Sequence, residues 1–307
     1  MSSKNMPLVS IITPSYNQGQ FIEDTLLSVK NQDYPNIEHI IVDGGSTDNT
    51  LEILKKYEGT YNMQWISEPD EGQADAVNKG FKMARGEIIG WLNSDDGYLT
   101  RDFVSQAVNT FIDEPDVYVV YGNRVVIDKN NNFKKLKYSH DFDYQKFLFG
   151  RQNVFQESVI FRRQVIQNYR LNKKLQFAMD TDFWLKIGKH YKFKYIKNLL
   201  GFFREHTKNK TLSRNYSHKW SEEWYYLHKQ YGYVLKNSEK YNSLSTQIYK
   251  KLSCLLSGSY KNYLRLPYDL AYLSIKFPSY FTISLNMGKR QLIKSFFSSI
   301  IPHRQCG

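Results

Sequence analysis

The sequence predicts an α/β fold, a mostly parallel sheet flanked by helices, continued by a mainly helical C-terminal extension. Two observations predict the sheet. Short apolar runs alternate with amphipathic segments through residues 1–130, and turn residues punctuate almost every junction. A third, a tyrosine-rich stretch of helical character from residue 215 with breaks at Pro267, Pro278 and Pro302, predicts the extension.

The elements follow in order. LVSII (8–12), closed by Thr13-Pro14, has the length and composition of a buried strand. The turn-rich PSYNQGQ leads into FIEDTLLSVKNQ, where Ile22, Leu26 and Val29 recur at helical spacing. IEHIIVD (37–43) is a second strand. In GGSTDNTLEILKKY a glycine turn and a Ser/Thr/Asp cap open a helix. NMQWIS is a third strand, and GQADAVNKGFKMARG a helix closed by Gly86 in the C′ position. EIIGWLN is the fourth strand and VYVVYGN (117–123) a later one. Beyond residue 130, ESVIFRR reads as a strand and DTDFWLKIGKHY as a helix for which Asp180 or Asp182 supplies the cap.

The 307 residues allow one large or two modest domains. The chain holds 42 Lys+Arg and 30 Asp+Glu for a net charge of +12, but residues 1–120 carry only 8 of the basic and 19 of the acidic residues. An acidic first part joined to a basic second part argues against a nucleic-acid-binding protein. It fits a cation site followed by a surface for an anionic partner. Two cysteines, Cys254 and Cys306, are too few for a disulfide framework or zinc cluster, which points to a reducing cytoplasm. MSSKNMPLVSIITPSYN lacks a signal-peptide pattern, and no apolar run approaches the ~20 residues of a membrane span.

In sheets of this kind ligands sit at the carboxyl ends of the strands. Thr13, Asp43, Glu68 and the cluster Asn93-Ser94-Asp95-Asp96 all follow strand runs on that one expected edge. Two adjacent carboxylates after the apolar IIGWL repel each other unless a counter-charge joins them. Mg²⁺ or Mn²⁺ bridging to a nucleotide diphosphate answers this, because such ions need only one or two protein carboxylates. A solvated turn is the plain alternative.

Three segments taken together carry a resemblance: PLVSIITPSYNQGQFIEDTLLSVKNQDYPNIEHIIVDGGSTDNTLEIL, SEPDEGQADAVNKGF and GEIIGWLNSDD. The chain resembles the GT-A-fold glycosyltransferases of family two, in particular bacterial members that build O-antigen, capsular or exopolysaccharide. The likeness is strong over 7–130 and continues to 215. It implies a catalytic domain over 1–215, with a nucleotide-sugar half (1–130) and an acceptor half (131–215). Residues 216–307 then form a helical, basic region that meets a membrane surface or a second subunit.

Carried over by position, the resemblance implies that Thr13, Pro14 and Tyr16 line the nucleotide base pocket and that Asp43 binds uracil or ribose. Asn93-Ser94-Asp95 lies where the family has Asp-x-Asp, so Ser94 is implied at the nucleotide, Asn93 at the donor sugar or diphosphate, and Asp95 as principal metal ligand, with Asp96 beside it. Asp180 corresponds to the catalytic base, with Trp184 one turn on, and Arg204 and His206 in FFREHTKNKTLS approach the diphosphate or metal. Asp75 serves the sugar or a salt bridge, and Glu68, Asp70 and Gln73 contact the donor or order their loop. Three positions depart from the pattern: Asn93 and Gly44 stand where aspartates are usual, and Met179 where a glutamate precedes the base. The absence of Gln-x-x-Arg-Trp implies single-sugar addition. The implied reaction is an inverting transfer from a nucleotide sugar, UDP being the commonest donor, to a polyprenyl-linked or saccharide acceptor.

Two other readings compete. A nucleotidyltransferase usually shows a basic, glycine-rich loop after the first strand, whereas TPSYNQGQF holds no Lys or Arg. A binding protein without turnover accounts for the three departures but not for intact Asp95 and Asp180. The segment QLIKSFFSSIIPHR sets Leu292/Ile293, Phe296/Phe297 and Ile300/Ile301 a turn apart beside Lys289, Arg290 and Lys294. That suits a helix in the plane of an anionic membrane, hence a peripheral location at the inner face of the cytoplasmic membrane.

Overall fold

The computed structural model describes residues 6–207, 209–210 and 217–231. The expectations for Cys254, Cys306, the breaks at Pro267, Pro278 and Pro302, the helical region beyond residue 231 and its apolar stripe lie outside them. In chain order the elements are β1 (Val9–Ser15), α1 (Ile22–Lys30), β2 (Ile37–Asp43), α2 (Thr50–Tyr57), β3 (Met63–Ser67), α3 (Gln73–Met83) and β4 (Ile88–Trp91). Then come β5 (Gly97–Tyr98), α4 (Phe103–Asp113), β6 (Val117–Asp128), β7 (Phe133–Lys137), α5 (Tyr144–Leu148), β8 (Val159–Arg162) and α6 (Gln164–Asn168). The described chain ends with α7 (Met179–Ile187), β9 (Lys192–Glu205) and α8 (Ser217–Tyr231).

The strands form one sheet in the order β3-β2-β1-β4-β8-β6-β9-β5, with β7 added on β6. β1, buried along its whole length, pairs in parallel with β2 and β4, and β3 extends the parallel set beyond β2. These four strands therefore finish on one edge, as the alternating pattern predicts. The rest corrects the expectation of a mostly parallel sheet: β8 runs antiparallel to β4 and β6, β5 to β9, and β7 to β6, while β6 and β9 are parallel. For β6 and β7 the reason is local: a tight turn with Asn131 at φ 68° joins them, and strands so joined must be antiparallel.

The central core lies between the sheet and helices α3 and α7, where Ile12, Ile40, Val77, Phe81, Phe161, Phe183 and Trp184 are buried together. α4 closes the opposite face with Phe103, Val104, Val108 and Phe111 on Val9, Ile11 and Ile88. The buried Glu38 ties three segments: it accepts Ser10 Oγ at 2.5 Å, Arg85 N at 2.8 Å and the Arg85 guanidinium at 2.7 Å.

Gly86 plays a different part from the helix-closing one. α3 ends at Met83 with Ala84 in an extended cap, and Gly86 lies beyond, donating its N–H to Ser10 Oγ at 2.8 Å. A Cβ there would stand 2.6 Å from Leu8 O and 2.7 Å from Ser10 N, so close approach to β1 is what requires glycine. Because those neighbours are backbone, Gly86→Ala is expected to cost about 1–3 kcal/mol of stability, read from chemical denaturation. A cost of only a few tenths would contradict this account.

Candidate active site

β4 delivers the chain to the shared edge, where Leu92 to Asp96 make a turn closed by Asp96 N donating to Asn93 O at 3.2 Å. The two carboxylates of that turn face opposite ways. Asp96 points inward and is 1 % exposed. Its Oδ1 accepts Arg204 N at 3.0 Å, its Oδ2 accepts Asn93 Nδ2 at 3.3 Å, and its carbonyl accepts Thr25 Oγ1 at 2.6 Å. Burial, and then the nearby charges of Asp95 and Glu157, push its carboxyl well above the ordinary range. Asp95 turns away from Asp96 and toward the edge, its side chain 17 % exposed and its Oδ2 accepting His206 Nε2 at 2.9 Å and Asn209 Nδ2 at 3.2 Å. Phe21 packs its ring on His206, centroids 4.6 Å apart, and the buried His206 Nδ1 has no hydrogen-bond partner.

Arg204 holds this turn from behind. Its side chain is 1 % exposed; Nε donates to Asp95 O at 3.1 Å, Nη1 to Asn131 Oδ1, and Nη2 to Asp24 Oδ2 at 2.8 Å. Phe21 and Phe202 lie over the guanidinium at 5.1 and 5.4 Å. The guanidinium is thereby committed to the protein, whereas the resemblance implies an approach to the diphosphate.

The ends of β1 and β2 build the neighbouring wall. Thr13 Oγ1 meets His39 Nε2 at 2.9 Å, and His39 Nδ1 meets Tyr61 OH at 2.8 Å. Burial holds the His39 imidazole down to about 3, so this chain is neutral. Pro14 is buried in β1, while Tyr16 just beyond is 60 % exposed. Asp43, fully buried, accepts Gly45 N at 3.1 Å, Ser46 N at 2.8 Å, Ser46 Oγ at 2.5 Å and Ser67 Oγ at 2.7 Å. It thus orders the DGGSTD loop. At Gly44 a Cβ would stand 2.6 Å from Asp70 Oδ2, so the Asp70 carboxylate fills the space of the missing aspartate side chain.

Asn93 is engaged too: its Oδ1 accepts Gln73 Nε2 at 2.7 Å and Trp91 Nε1 at 3.1 Å, linking α3 to the turn. Ser94 is buried within the turn. Asp75 bonds Lys173 at 3.1 Å and approaches Lys79 at 3.7 Å, the salt-bridge alternative, and exposed Glu68 pairs with Lys79 at 2.7 Å.

Asp180 occupies the first turn of α7, partly buried, with Oδ1 accepting Thr181 N at 2.7 Å. Burial raises its carboxyl above the usual carboxylate range, against the hydrogen bonds from Thr181. Asp182 is fully buried between Lys186 and Tyr231, each at 2.6 Å, and neither aspartate caps the helix. Glu157 connects the two regions. It is 2 % exposed, pairs with Arg124 Nη1 at 3.3 Å, and its charge raises both Asp96 and Asp180. Beside it Gln156 donates to Trp91 O. Sequence reasoning passes over Glu157 and Gln156; the one signal is a polar pair interrupting the apolar NVFQESVIF.

Among the described residues no group of three or more His, Cys, Asp and Glu side chains gathers to hold a metal by itself. The outward Asp95 beside His206 still fits an Mg²⁺ or Mn²⁺ that keeps phosphate and water in its shell.

A parallel half ending in the Asp95–Asp96 turn, followed by a helix-borne carboxylate, Asp180, at the start of α7, is the layout of a glycosyltransferase of the GT-A fold. The comparisons agree. The model of Glycosyl transferase family 2 matches residues 10–175. The chain is 31 % identical over 199 residues to a chondroitin synthase of Pasteurella multocida strain Pm70, 63 % of this chain but 20 % of that one. It is 34 % identical over 184 residues to an uncharacterised glycosyltransferase of Mycobacterium tuberculosis strain H37Rv, 59 % of this chain and 68 % of that one. Similar solved structures include S. aureus TarS 1–349 in complex with UDP-GlcNAc (TM-score 0.58, 18 % identity, 89 % and 81 % of the two chains). The mannosyltransferase PcManGT of Pyrobaculum calidifontis with GDP-Man and Mn²⁺ is another (0.59, 17 %, 96 % and 88 %). The chain belongs to glycosyl transferase family 2.

Removing the buried guanidinium leaves Asp24 without its cation and the Asp95 carbonyl without its donor. Arg204→Ala is therefore expected to destabilise the fold by about 3 kcal/mol, measured by denaturant unfolding. A loss below about 1 kcal/mol would mean the clamp is dispensable.

Proposed function

We propose that the protein is an inverting, non-processive glycosyltransferase that moves one sugar from a UDP-sugar to a hydroxyl of a lipid-linked or saccharide acceptor in surface-polysaccharide synthesis. The observation that carries this reading is the pairing of outward Asp95 with His206 on the edge that also holds Tyr16 and Asp43. Of the two similar solved structures named above, one carries UDP-GlcNAc and the other GDP-Man with Mn²⁺, which supports this reading. No helix among the described residues is long and apolar enough to cross a membrane. Contact with the inner membrane face is assigned to the basic C-terminal region on its lysines, arginines and apolar stripe.

In this reading Asp95 and His206 hold the divalent cation, which supplies Lewis-acid stabilisation of the departing diphosphate when bound. Asp96 sets the turn from beneath. Tyr16 offers an exposed ring to the base, and Asp43, its oxygens engaged by Gly45, Ser46 and Ser67, keeps the loop beside the ribose closed. Asp180 takes the proton from the acceptor hydroxyl as that oxygen attacks the anomeric carbon. The bond to the diphosphate breaks on the opposite face, which inverts the centre. Burial, by making the carboxylate more basic, suits it to this transfer.

Calorimetric titration of UDP, GDP and dTDP with Mn²⁺ or Mg²⁺ tests the donor half: selective, metal-dependent binding is expected in the wild type and its loss in Asp95→Ala. Binding of none of the three would refute the reading. Asp180→Asn is expected to keep that binding and lose 10²–10⁴-fold, roughly, in turnover. Because the base must be ionised and its pKa is raised, kcat/KM should fall as pH drops through a point above the ordinary carboxylate range. A pH profile flat down to the ordinary range would contradict the assignment.

A further inference from the structure

α7 starts without a cap of its own. Ala178 holds the cap position and has no side chain to offer. The three amides leading into it, those of Gln176, Phe177 and Ala178, are met by another element. Glu223, on α8, accepts Gln176 N at 2.8 Å with one carboxylate oxygen, and with the other Phe177 N at 2.9 Å and Ala178 N at 2.8 Å. A carboxylate so placed answers three backbone donors and sits against the positive end of the helix.

Two further contacts make α8 a fixed support. Tyr231 OH donates to Asp182 Oδ1 at 2.6 Å, and Leu227 is buried in the cluster that contains Phe183 and Trp184. On its other side the loop is confined by α3: at Gly72, φ 113°, a Cβ would stand 3.1 Å from Gln176 Oε1. Asp180 follows the last captured amide by two residues, inside the first turn of α7. The segment so held leads straight into the first turn of α7, and catalytic groups tolerate little displacement.

We propose that Glu223 is a positioning residue for the transfer step: its carboxylate fixes the 176–178 loop and the first turn of α7, and so aims Asp180 at the acceptor hydroxyl. This rests on the reading of Asp180 as base. A purely structural Glu223 has a different consequence, namely less folded protein with unchanged turnover per folded molecule.

The test compares wild type, Glu223→Ala, Glu223→Gln and Asp180→Asn. It reads kcat per folded molecule, Mn²⁺-dependent UDP affinity and hydrogen exchange of amides 176–182. Glu223→Ala should lower kcat about 10–100-fold while UDP affinity stays within about 2-fold, and amides 176–178 should exchange faster. Glu223→Gln keeps one acceptor oxygen but turns an N–H₂ toward the remaining amide, so its kcat should fall between the two. Wild-type kcat in Glu223→Ala would overturn the proposal; if that variant does not fold, wild-type kcat in Glu223→Gln would do so. Asp180→Asn separates the two claims. Full turnover in that variant sinks the base assignment, whereas an inactive Asp180→Asn beside a fully active Glu223→Ala sinks only the positioning role.

Discussion

A guanidinium buried to 1 % exposure is the constraint around which this edge of the molecule is organised. Such a charge is tolerated only where partners answer it, and Arg204 draws those partners from three places in the chain: Asp24 on α1, the Asp95 carbonyl after β4, and Asn131 in the β6–β7 turn. Its own N–H binds Asp96, so the last residues of β9 are stitched to the end of β4 through both main chain and side chain. The next residue but one, His206, is thereby delivered to Asp95. The clamp explains why two adjacent carboxylates can end an apolar strand: one is consumed in holding the turn, which leaves the other free to face outward.

The same economy runs through the neighbouring wall. Asp43 spends its oxygens on Gly45, Ser46 and Ser67, and Asn93 spends its own on Gln73 and Trp91. Asp43 and Asn93, which a motif alone would assign to ligand, thus build the edge itself, whereas Tyr16 is exposed and Asp95 and Asp180 are partly buried. The buried Glu157, paired with Arg124, adds its charge to the burial that raises both Asp96 and Asp180.

The parallel half could be read from the chain because each strand run is apolar and of strand length, and each helix repeats at helical spacing. The shared edge, with Asp95 upon it, follows from that alternation alone. Other features rest on partners far away in sequence. Whether Asp95 or Asp96 turns outward is decided by Arg204, more than a hundred residues on. β9 escapes notice because KFKYIKNLLGFFRE mixes lysines with apolar residues, half of the strand lying near the surface. Gly86 looks like a helix terminator until the nearness of Leu8 and Ser10 is seen. The cap of α7 is sought among Asp180 and Asp182 because caps are usually local, whereas the carboxylate that meets those amides comes from α8.

The most direct test of this account is where a cation sits. Crystals grown with UDP and Mn²⁺, measured for the anomalous signal of manganese, should show one peak within coordination distance of an Asp95 carboxylate oxygen and a His206 ring nitrogen. Asp96 should remain inward on the Arg204 amide. A manganese peak bound by Asp96 with Asp95 turned away, or nucleotide bound with no manganese on this turn, would contradict the division of labour on which the account depends.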